Sequence, residues 1–373
     1  MTLSFSYLQN QFREEEAEAI WAKIKPIVTS GSFTLGRELR DFEEAYAKKC
    51  QTAHAIGVNS GTDAIALPLM ALNITGEVIV PAFSFVASVG AIVQAGAKPV
   101  LVDVRDDFNI DPSAIEAAIT PRTDAIVCVH WAGRPCNMDK IMDIARRRGL
   151  YVIEDAAQGL GSLWNGRSVG SYGTAGAFSL HPLKRINVWG DGGIITTSEN
   201  FLAERLYRLR NHGLLDRNVV MQWGVNSRLD TIQAVVAHHV LGNVDRSIAA
   251  CRLLAASLDN MLAGVPGIHI APMHPDAFSN IYLYTFLAKN RNELLAALNK
   301  RGVEAKCHYP IPLHRQPAAE SLGYKRGAFP MAERCADETI SLPCHEFLSM
   351  DDMDTQAAVV REFYETVGAE AAE

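Results

Sequence analysis

Two sets of residues near predicted strand ends could do chemistry together. One apolar run finishes in Asp155 and Gln158, an acid and an amide. A carboxylate at a buried strand end needs a cationic or hydrogen-bonding partner, and a protonated pyridine nitrogen would be one, although Asp155 could equally cap a helix. Lys184 lies 29 residues beyond Asp155, just past a strand that ends in Ser179 and before a glycine-rich turn at residues 190–193. A lone lysine is usually a surface ion-pair partner, but this one belongs to a set.

Two further strand ends carry weaker signals. Ser60, Gly61 and Thr62 form a small, hydroxyl-bearing turn that opens directly into a helix, where exposed N–H groups would cradle a phosphate. A simple helix cap is the commoner explanation of such a turn. Phe83 and Phe85 follow another strand and could stack on a planar ligand, although core packing explains them as well. Ligands collect at the carboxyl ends of strands in a parallel α/β sheet, which makes these four ends the candidate site.

The elements that must position these residues alternate between β-rich runs and helix-like stretches. The runs are Ala53–Asn59, Glu77–Pro81, Pro99–Val104, Ala125–His130, Tyr151–Ala157, Ala175–Leu180 and Gly193–Thr197. This alternation predicts an α/β fold with a mostly parallel, seven-stranded sheet sandwiched by helices. After residue 200 the pattern becomes helical, and a second β-containing part follows, with strands predicted at Ile281–Ala288 and Glu304–Tyr309. We predict a large domain at residues 1–245 and a smaller C-terminal α+β domain at residues 246–373.

Composition narrows the class of protein. The 373 residues are 48% apolar and 21% charged, which is typical of a soluble globular protein with a large core. The net charge of −7 provides no basic field for nucleic acid or an anionic membrane. The seven cysteines form no C-x-x-C pair, so we expect reduced thiols and no metal site. The sequence shows neither a secretory signal nor a membrane span, and we expect a cytoplasmic protein.

In this order and spacing, the pieces resemble the DegT-type (DegT/DnrJ/StrS) family of sugar aminotransferases. These are pyridoxal-phosphate enzymes of fold-type I, the aspartate aminotransferase-like class, and the resemblance runs from about Ser30 to about Tyr364. The pieces that carry it are Ser32–Gly36 with Phe42-Glu43, Asn59–Thr62, Val80–Phe85, Glu154–Gln158, Phe178–Lys184, Gly190–Gly193, Gly224–Leu229 and His308–His314. No single piece is decisive, and the argument rests on their shared order.

The resemblance implies a role for each residue of the set. Lys184 would form the internal aldimine with pyridoxal 5′-phosphate and move the substrate proton, and Asp155 would keep the pyridine nitrogen protonated, which makes the ring an electron sink. Phe85 would stack on one ring face, and Gln158 would lie beside the ring hydroxyl. The phosphate would be held by Ser60, Gly61, Thr62 and Ser179. Asn226 would reach the phosphate from the neighbouring subunit, which implies a homodimer with shared active sites.

The resemblance also places residues on the substrate side. These are His181, Arg228, His308, Tyr309 and His314. Three positions depart from the family pattern: Ser227, where an aromatic is frequent, Arg134, where an aliphatic or Gln is commoner, and Arg185, where Asn is frequent. All three would lie near a substrate channel, so they leave the substrate's identity open rather than the type of reaction.

The implied reaction moves an amino group from an amino acid, L-glutamate in the family, to a nucleotide-linked 3-oxo or 4-oxo deoxyhexose. The products feed lipopolysaccharide, glycan or antibiotic sugars, and the His308–His314 segment is closer to members that act on 3-oxo sugars. Two alternatives stay open. The first is a sugar dehydratase that uses the same cofactor with histidine in place of the lysine, and Lys184 argues against it. The second is a non-catalytic nucleotide-sugar-binding or regulatory member, which would have no need of a Schiff-base lysine.

Overall fold

A seven-stranded sheet forms the centre of the fold in the computed structural model, which describes residues 2–370. The strands are β1 (His54–Val58), β2 (Glu77–Pro81), β3 (Lys98–Val102), β4 (Thr123–Val129), β5 (Tyr151–Asp155), β6 (Leu163–Trp164), β7 (Arg167–Ser168), β8 (Ala175–Ser179), β9 (Gly193–Thr197), β10 (Ile268–His269), β11 (Ala277–Phe278), β12 (Tyr284–Ala288) and β13 (Thr339–Leu342). The central sheet has the order β1-β9-β8-β5-β4-β2-β3. Only β9 runs antiparallel to its two neighbours. The predicted α/β fold and each of its seven central strands are confirmed.

The central strands are apolar on both faces because each face packs against a separate core. Val78 and Val80 of β2 belong to one core, whereas Ile79 between them belongs to the other. Strands buried on both faces read as continuous apolar runs rather than alternating ones. Because these strands run parallel, their carboxyl ends meet at one edge of the sheet, and the loops that follow them can carry polar side chains.

Helices cover both faces of the sheet. They are α1 (Glu14–Ser30), α2 (Arg37–Lys49), α3 (Gly61–Ala71), α4 (Ala87–Gln94), α5 (Pro112–Ala118), α6 (Met138–Arg148), α7 (Asn200–Leu209), α8 (Thr231–Leu241), α9 (Val244–Leu262), α10 (Arg291–Lys300), α11 (Pro330–Glu338) and α12 (Met350–Glu370). A buried ion pair between Glu43 of α2 and Arg210, just after α7, ties two of them to β1. Glu43 also accepts a hydrogen bond from the Gly57 N–H at 2.7 Å.

A second, antiparallel sheet of order β10-β12-β13 lies in the C-terminal part and packs against α9, α10 and α12. The strand predicted at Glu304–Tyr309 is wrong. That segment makes single bridges to two different partners, since the Glu304 N–H donates to the Leu3 carbonyl and the Lys306 N–H donates to the Ser341 carbonyl. The neighbour of β12 is instead β13, a four-residue strand directly after α11 that the sequence pattern did not indicate.

The C-terminal part also packs on the large sheet. Leu287 and Phe329 belong to the same apolar core as the central strands. The predicted division at residue 245 falls at the start of α9 and stays a prediction. Within residues 2–370, no helix is long and apolar enough to cross a membrane, and no group of three or more potential ligand side chains could hold a metal ion. The seven cysteines are all free thiols.

Candidate active site

A cavity of about 410 Å³ opens at the carboxyl ends of the parallel strands. The predicted residues that line it are Ser60, Gly61, Thr62, Phe85, Asp155, Gln158, Ser179, His181, Lys184, His308 and Tyr309. They come from the ends of β1, β2, β5 and β8 and from the loop that follows α10. The topology thus assembles in one place side chains that are up to about 250 residues apart in the sequence.

One corner of the cavity suits a phosphate. Helix α3 begins at Gly61, and the Ser60 hydroxyl caps it by accepting a hydrogen bond from the Asp63 N–H at 3.1 Å. The first N–H groups of a helix have no acceptor within it, and the helix dipole favours an anion there. Gly61 passes so close to β8 that a Cβ at this position would lie 2.7 Å from the Ser179 Cβ. Only glycine lets the helix start this near to the Ser179 hydroxyl.

Asp155 presents a buried carboxylate to the cavity. Its Oδ2 accepts a hydrogen bond of 2.6 Å from the Ser88 hydroxyl, which in turn lies 2.8 Å from the Ser84 hydroxyl. Its Oδ1 accepts a hydrogen bond of 3.2 Å from the Ala157 N–H. Burial raises the pKa of Asp155, and the Ser88 hydrogen bond and the nearby charge of Lys184 act in the opposite direction. A cationic ligand atom would stabilise the ionised form further.

The neighbouring acid, Glu154, has a structural role. Successive side chains of a strand point to opposite faces, so Glu154 points away from the cavity. Its carboxylate lies 3.0 Å from the His130 ring and accepts three backbone N–H groups at 2.7 Å, from Gly170, Tyr172 and Gly173. These contacts satisfy Glu154 and fix the end of β5 on which Asp155 stands.

Lys184 enters the cavity from the turn after β8. The backbone N–H of Lys184 donates to the His181 carbonyl at 2.8 Å, and the His181 Nδ1 accepts from the Leu183 backbone N–H at 3.2 Å. His181 therefore shapes the turn as well as lining the cavity. The Lys184 ammonium lies 4.6 Å from the centre of the Tyr282 ring, and the Tyr7 hydroxyl donates to the Lys184 carbonyl at 3.1 Å.

The far wall of the cavity carries aromatic side chains and a neutral imidazole. The rings of Phe85 and Tyr309 lie 5.6 Å apart, centre to centre, with 42° between their planes. The His308 Nδ1 lies 3.0 Å from the Ser341 hydroxyl. Burial, aided by the nearby charges of Lys184 and Lys306, lowers the pKa of His308 to about 4. His308 is therefore uncharged at neutral pH and acts there as a hydrogen-bonding group.

Three predicted site residues lie outside this cavity. His314 is buried behind it, where its Nε2 lies 2.9 Å from a Glu333 carboxylate oxygen, so the structure does not bring it to the site. Arg228 donates to the Asn211 side chain at 2.6 Å. Asn226 lies exposed in the loop between α7 and α8. Neither Asn226 nor Arg228 lines the cavity.

The three departures from the family pattern have separate structural roles. Arg134 donates to the carbonyls of residues 271 and 272 at 2.7 and 2.8 Å. Ser227 is buried, and its hydroxyl accepts from the Asn59 N–H at 3.2 Å, directly before the phosphate corner. Arg185 lines the cavity, but its terminal nitrogens bind protein atoms.

Sequence reasoning missed several cavity residues. They include Tyr7, Ser84, Tyr282, Tyr284 and His345. Ser84 lies within the Val80–Phe85 piece but was not singled out. The other four come from the N-terminal segment or from the second sheet and its flanks, and no motif or spacing connects them with Lys184. The one signal available was the aromatic content of residues 281–288, which indicated a strand and said nothing of what its first residues would face.

Comparison with known proteins identifies the family and the fold. Residues 14–361 match the DegT/DnrJ/EryC1/StrS aminotransferase family. The chain belongs to this family. It is 39% identical to a dTDP-3-amino-3,4,6-trideoxy-alpha-D-glucose transaminase of Streptomyces venezuelae, with 97% of this chain and 96% of the relative aligned. It is 37% identical to a UDP-N-acetyl-3-dehydro-alpha-D-glucosamine 3-aminotransferase of Acidithiobacillus ferrooxidans, over 92% of this chain and 93% of the relative.

Solved structures superpose closely on this chain. DesV of S. venezuelae, in complex with a ketimine intermediate, gives a TM-score of 0.94 at 39% identity, covering 98% of this chain and 99% of that one. NtdA of Bacillus subtilis with bound pyridoxamine phosphate (PMP) gives 0.90 at 28% identity, covering 98% of this chain and 85% of that one. The protein is a pyridoxal-phosphate-dependent aminotransferase.

The chemistry of the residues that line the cavity also fits pyridoxal phosphate, independently of the relatives. The N-terminus of α3 suits a phosphate, and the buried carboxylate of Asp155 suits a protonated ring nitrogen. The amine of Lys184 lies in the same cavity. The aromatic ring of Phe85 offers a face for a planar ligand.

Proposed function

We propose that this enzyme transfers the amino group of L-glutamate to a nucleotide-linked deoxyhexose that carries a 3-oxo group. The observation that carries the proposal is the meeting of the Lys184 amine, the Asp155 carboxylate and the N-terminus of α3 in one cavity. The 3-position is supported by the two relatives named above, which aminate different nucleotide sugars at that carbon according to their names. A 4-oxo sugar is the alternative that a substrate panel would test.

In this proposal the cofactor is held by residues at the ends of four strands, β1, β2, β5 and β8. Ser60, Gly61, Thr62 and Ser179 would bind its phosphate, and Asp155 would accept a hydrogen bond from its ring nitrogen. Phe85 would pack on one face of the ring and Gln158 would lie at its hydroxyl edge. When bound, the cofactor supplies an electron sink for the negative charge left on a carbon atom by proton removal.

Lys184 would move the protons of both half-reactions. Its Nζ would remove the proton from the α-carbon of glutamate. In the second half-reaction it would take a proton from the cofactor side and pass it to the sugar carbon that takes up the nitrogen. Because the sugar and glutamate use the same cavity in turn, its walls must suit both. The neutral His308 and the hydroxyl of Tyr309 would bind sugar hydroxyl groups, and His181 would stay near the reacting carbon.

A homodimer with shared active sites is part of the proposal. Asn226 is exposed in its own protomer and would complete the phosphate site of the partner subunit, with Arg228 beside it. The same loop exposes apolar side chains, namely Leu215, Val219, Val220, Met221 and Trp223. A contiguous exposed apolar surface is typical of a protein interface.

The remaining expectations concern the setting of the reaction. We propose a cytoplasmic enzyme, a view supported by seven free cysteines, most of them buried. Its product would be an amino sugar for lipopolysaccharide, another polysaccharide or an antibiotic. The presence of Lys184 in the cavity disfavours the dehydratase alternative. The meeting of Asp155, Gln158, Ser179 and Lys184 there disfavours a purely regulatory protein.

The purified protein provides the first test. We expect a visible absorbance band from bound pyridoxal phosphate, which L-glutamate abolishes as the cofactor becomes its amine form. Lys184→Ala should lose the band and turnover, because no other cavity residue can form a Schiff base with the cofactor. The control Lys140→Ala removes an exposed lysine of α6 and should keep both. A Lys184→Ala protein with an unchanged band and turnover would overturn the assignment.

A further inference from the structure

Tyr282 lies beside Lys184 in the cavity, and the proposed function gives it no role. The centre of its ring lies 4.6 Å from the Lys184 Nζ. An ammonium group within about 6 Å of an aromatic ring centre is attracted by the negative face of the ring. Both side chains line the main cavity, so the contact forms where the amine must work.

The segment before Tyr282 is built to hold this ring in place. Ile281 has a φ of 51°, in the left-handed region that a β-branched residue rarely adopts. Asn280, which is fully buried, donates to the carbonyls of Gln158 and Leu160, each at 2.9 Å. An observed strained residue at a ligand cavity points to a functional constraint.

Arg185 joins the same segment to the lysine turn. Its Nη2 donates to the carbonyls of Asn280 and Ile281 at 2.7 and 2.5 Å. Its Nη1 donates to Ser247 and Cys251 of α9, at 3.1 and 3.0 Å. The residue next to Lys184 in the sequence thus binds the residues next to Tyr282, which fixes the two side chains relative to each other.

We propose that the Tyr282 ring holds the Lys184 ammonium whenever that amine is not bonded to the cofactor, with Arg185 as a positioning residue. The free amine exists between the two half-reactions, when the nitrogen from the donor resides on the cofactor. Holding Nζ against the ring keeps the amine in the cavity between the half-reactions. In the second half-reaction the amine, after releasing its own proton, would take one from the cofactor-side carbon and pass it to the sugar carbon. The inference rests on the proposed role of Lys184 as the cofactor-binding lysine.

The test measures the reactivity of Lys184 in the full-length enzyme loaded with pyridoxamine phosphate, in which the lysine is free. Cyanate carbamylates only neutral amines, and peptide mass spectrometry reports the rate at Lys184 from pH 7 to about pH 10.5, across the ordinary titration of lysine. Tyr282→Leu removes the ring face and should raise the rate at pH 7 by about 2-fold to 30-fold, the range of a cation–π contact. Tyr282→Phe keeps the face and should match the wild type.

The shape of the pH–rate curve separates charge from access. Loss of the ring interaction moves the curve to lower pH, whereas a wider opening multiplies the rate equally at every pH. The other charged or titratable side chains of the cavity are unchanged in these variants; they include Asp155, His181, Arg185, Asp191, His308 and His345. A Tyr282→Leu curve that coincides with the wild type, or that is raised equally at all pH values, would overturn the proposal.

Arg185 is tested by the same measurement. Arg185→Gln should reproduce part of the shift seen with Tyr282→Leu, because the Tyr282 segment loses two of its hydrogen bonds, and Arg185→Lys should restore some of it. A purely structural role would lower the thermal unfolding midpoint and leave the curve unmoved, which would remove Arg185 from the proposal. If the Arg185 variants do not fold, Tyr282→Leu and Tyr282→Phe still test whether the Tyr282 ring holds the Lys184 ammonium.

Failure of the inference is distinguishable from failure of the proposed function. Borohydride reduction of the pyridoxal-phosphate form fixes the cofactor to its lysine, and peptide mapping identifies that residue. Cofactor on Lys184 with an unshifted Tyr282→Leu curve would defeat the inference alone. Cofactor on a different lysine would defeat the proposed function and the inference together.

Discussion

At the scale of single residues, the ionisation of Asp155 decides whether the cavity can support the chemistry. Burial raises the pKa of this carboxyl, yet the proposed reaction needs the carboxylate. The hydrogen bond from the Ser88 hydroxyl, at 2.6 Å, opposes the effect of burial, and Ser84 orients Ser88 from behind. The two serines, linked in a chain to Asp155, would therefore tune the charge at the cofactor ring.

Ser88→Ala provides a measurement of this effect. Loss of the hydroxyl removes a hydrogen bond to a charged group and should raise the pKa of Asp155 further. The acidic limb of the pH profile of kcat should then move to higher pH by about one unit, from a hydrogen bond of about 1.5 kcal/mol. Ser88→Thr keeps a hydroxyl and should stay near the wild type, and Ser84→Ala should shift less. An acidic limb that is identical in Ser88→Ala and the wild type would show that Ser88 does not act on Asp155.

The sequence was sufficient to predict that the candidate catalytic residues meet at one edge of the sheet, but not which residues surround them. Lys184, Asp155 and Gly61 follow predicted strands directly, so local pattern places them at one edge of the sheet. Tyr282 reaches the same cavity from the segment before β12, and Ser88 reaches Asp155 from α4. Such contacts are set by tertiary packing, which no spacing in the sequence encodes. His314 is the opposite case: the sequence placed it at the site, but its contact with Glu333 of α11 holds it behind the cavity.

At the scale of the elements, strands buried on both faces were predictable and short strands in the small sheet were not. The central strands read as apolar runs because helices cover both sides. β13 has four residues and follows α11 without a turn signal, so only its pairing with β12 defines it. The segment at residues 304–309 has β-forming residues but divides its backbone hydrogen bonds between two partners.

Glu77 joins three elements at the opposite edge of the sheet. Only 4% of its side chain is exposed, and its carboxylate accepts hydrogen bonds from Thr120 at 2.6 Å, from Arg122 at 2.7 Å and from Lys98 at 3.4 Å. The hydrogen bonds from Thr120 and Arg122 are the main cause that lowers the pKa of Glu77 to about 2. The ionised form therefore stabilises the junction of β2, β3 and β4.

Glu77→Gln should make stability less dependent on pH in the acidic range. Because the pKa of Glu77 is lower in the folded chain than its ordinary value, its contribution is present above about pH 4.5 and is lost as the pH falls towards 2. At pH 7 the variant should lose about 1–3 kcal/mol in the free energy of unfolding, and the difference should shrink by pH 3. Urea unfolding at both pH values measures it.

Glu116→Gln is the matched control, because Glu116 also pairs with arginines, Arg147 and Arg148, but at the surface. Exposed ion pairs contribute little, so this variant should follow the wild type at both pH values. Equal losses for Glu77→Gln at pH 7 and pH 3 would mean that the carboxylate charge is not the stabilising factor.

At the scale of the whole molecule, a chain of net charge −7 is proposed to bind an anionic substrate. Attraction must then come from groups near the cavity, since the overall field is unfavourable. Lys184 and Arg185 line the cavity, and Arg228 lies on the loop that we assign to the dimer interface. A shared active site would bring Arg228 to the partner's cavity, where its positive charge would attract the anionic substrate despite the negative net charge of the chain.

The loop between α7 and α8 makes the dimer proposal testable without a structure of the complex. Trp223 is 93% exposed, and Asn226 and Arg228 follow it. A side chain of this size left in water is unusual for a monomer and is expected at the centre of an interface. Each active site would then need Lys184 from one subunit and Asn226 from the other.

Mixing Lys184→Ala with Asn226→Ala chains tests this arrangement. Each variant alone should have little activity, because Lys184→Ala lacks the amine and Asn226→Ala weakens cofactor phosphate binding. In a hybrid dimer one site receives both defects and the other receives neither, so random exchange should restore about one quarter of the wild-type sites. The measurement is turnover after subunit exchange, with exchange confirmed by native mass spectrometry of isotopically distinct chains. If Lys184 and Asn226 of the same chain formed each site, every hybrid site would keep one defect, and mixing would restore nothing.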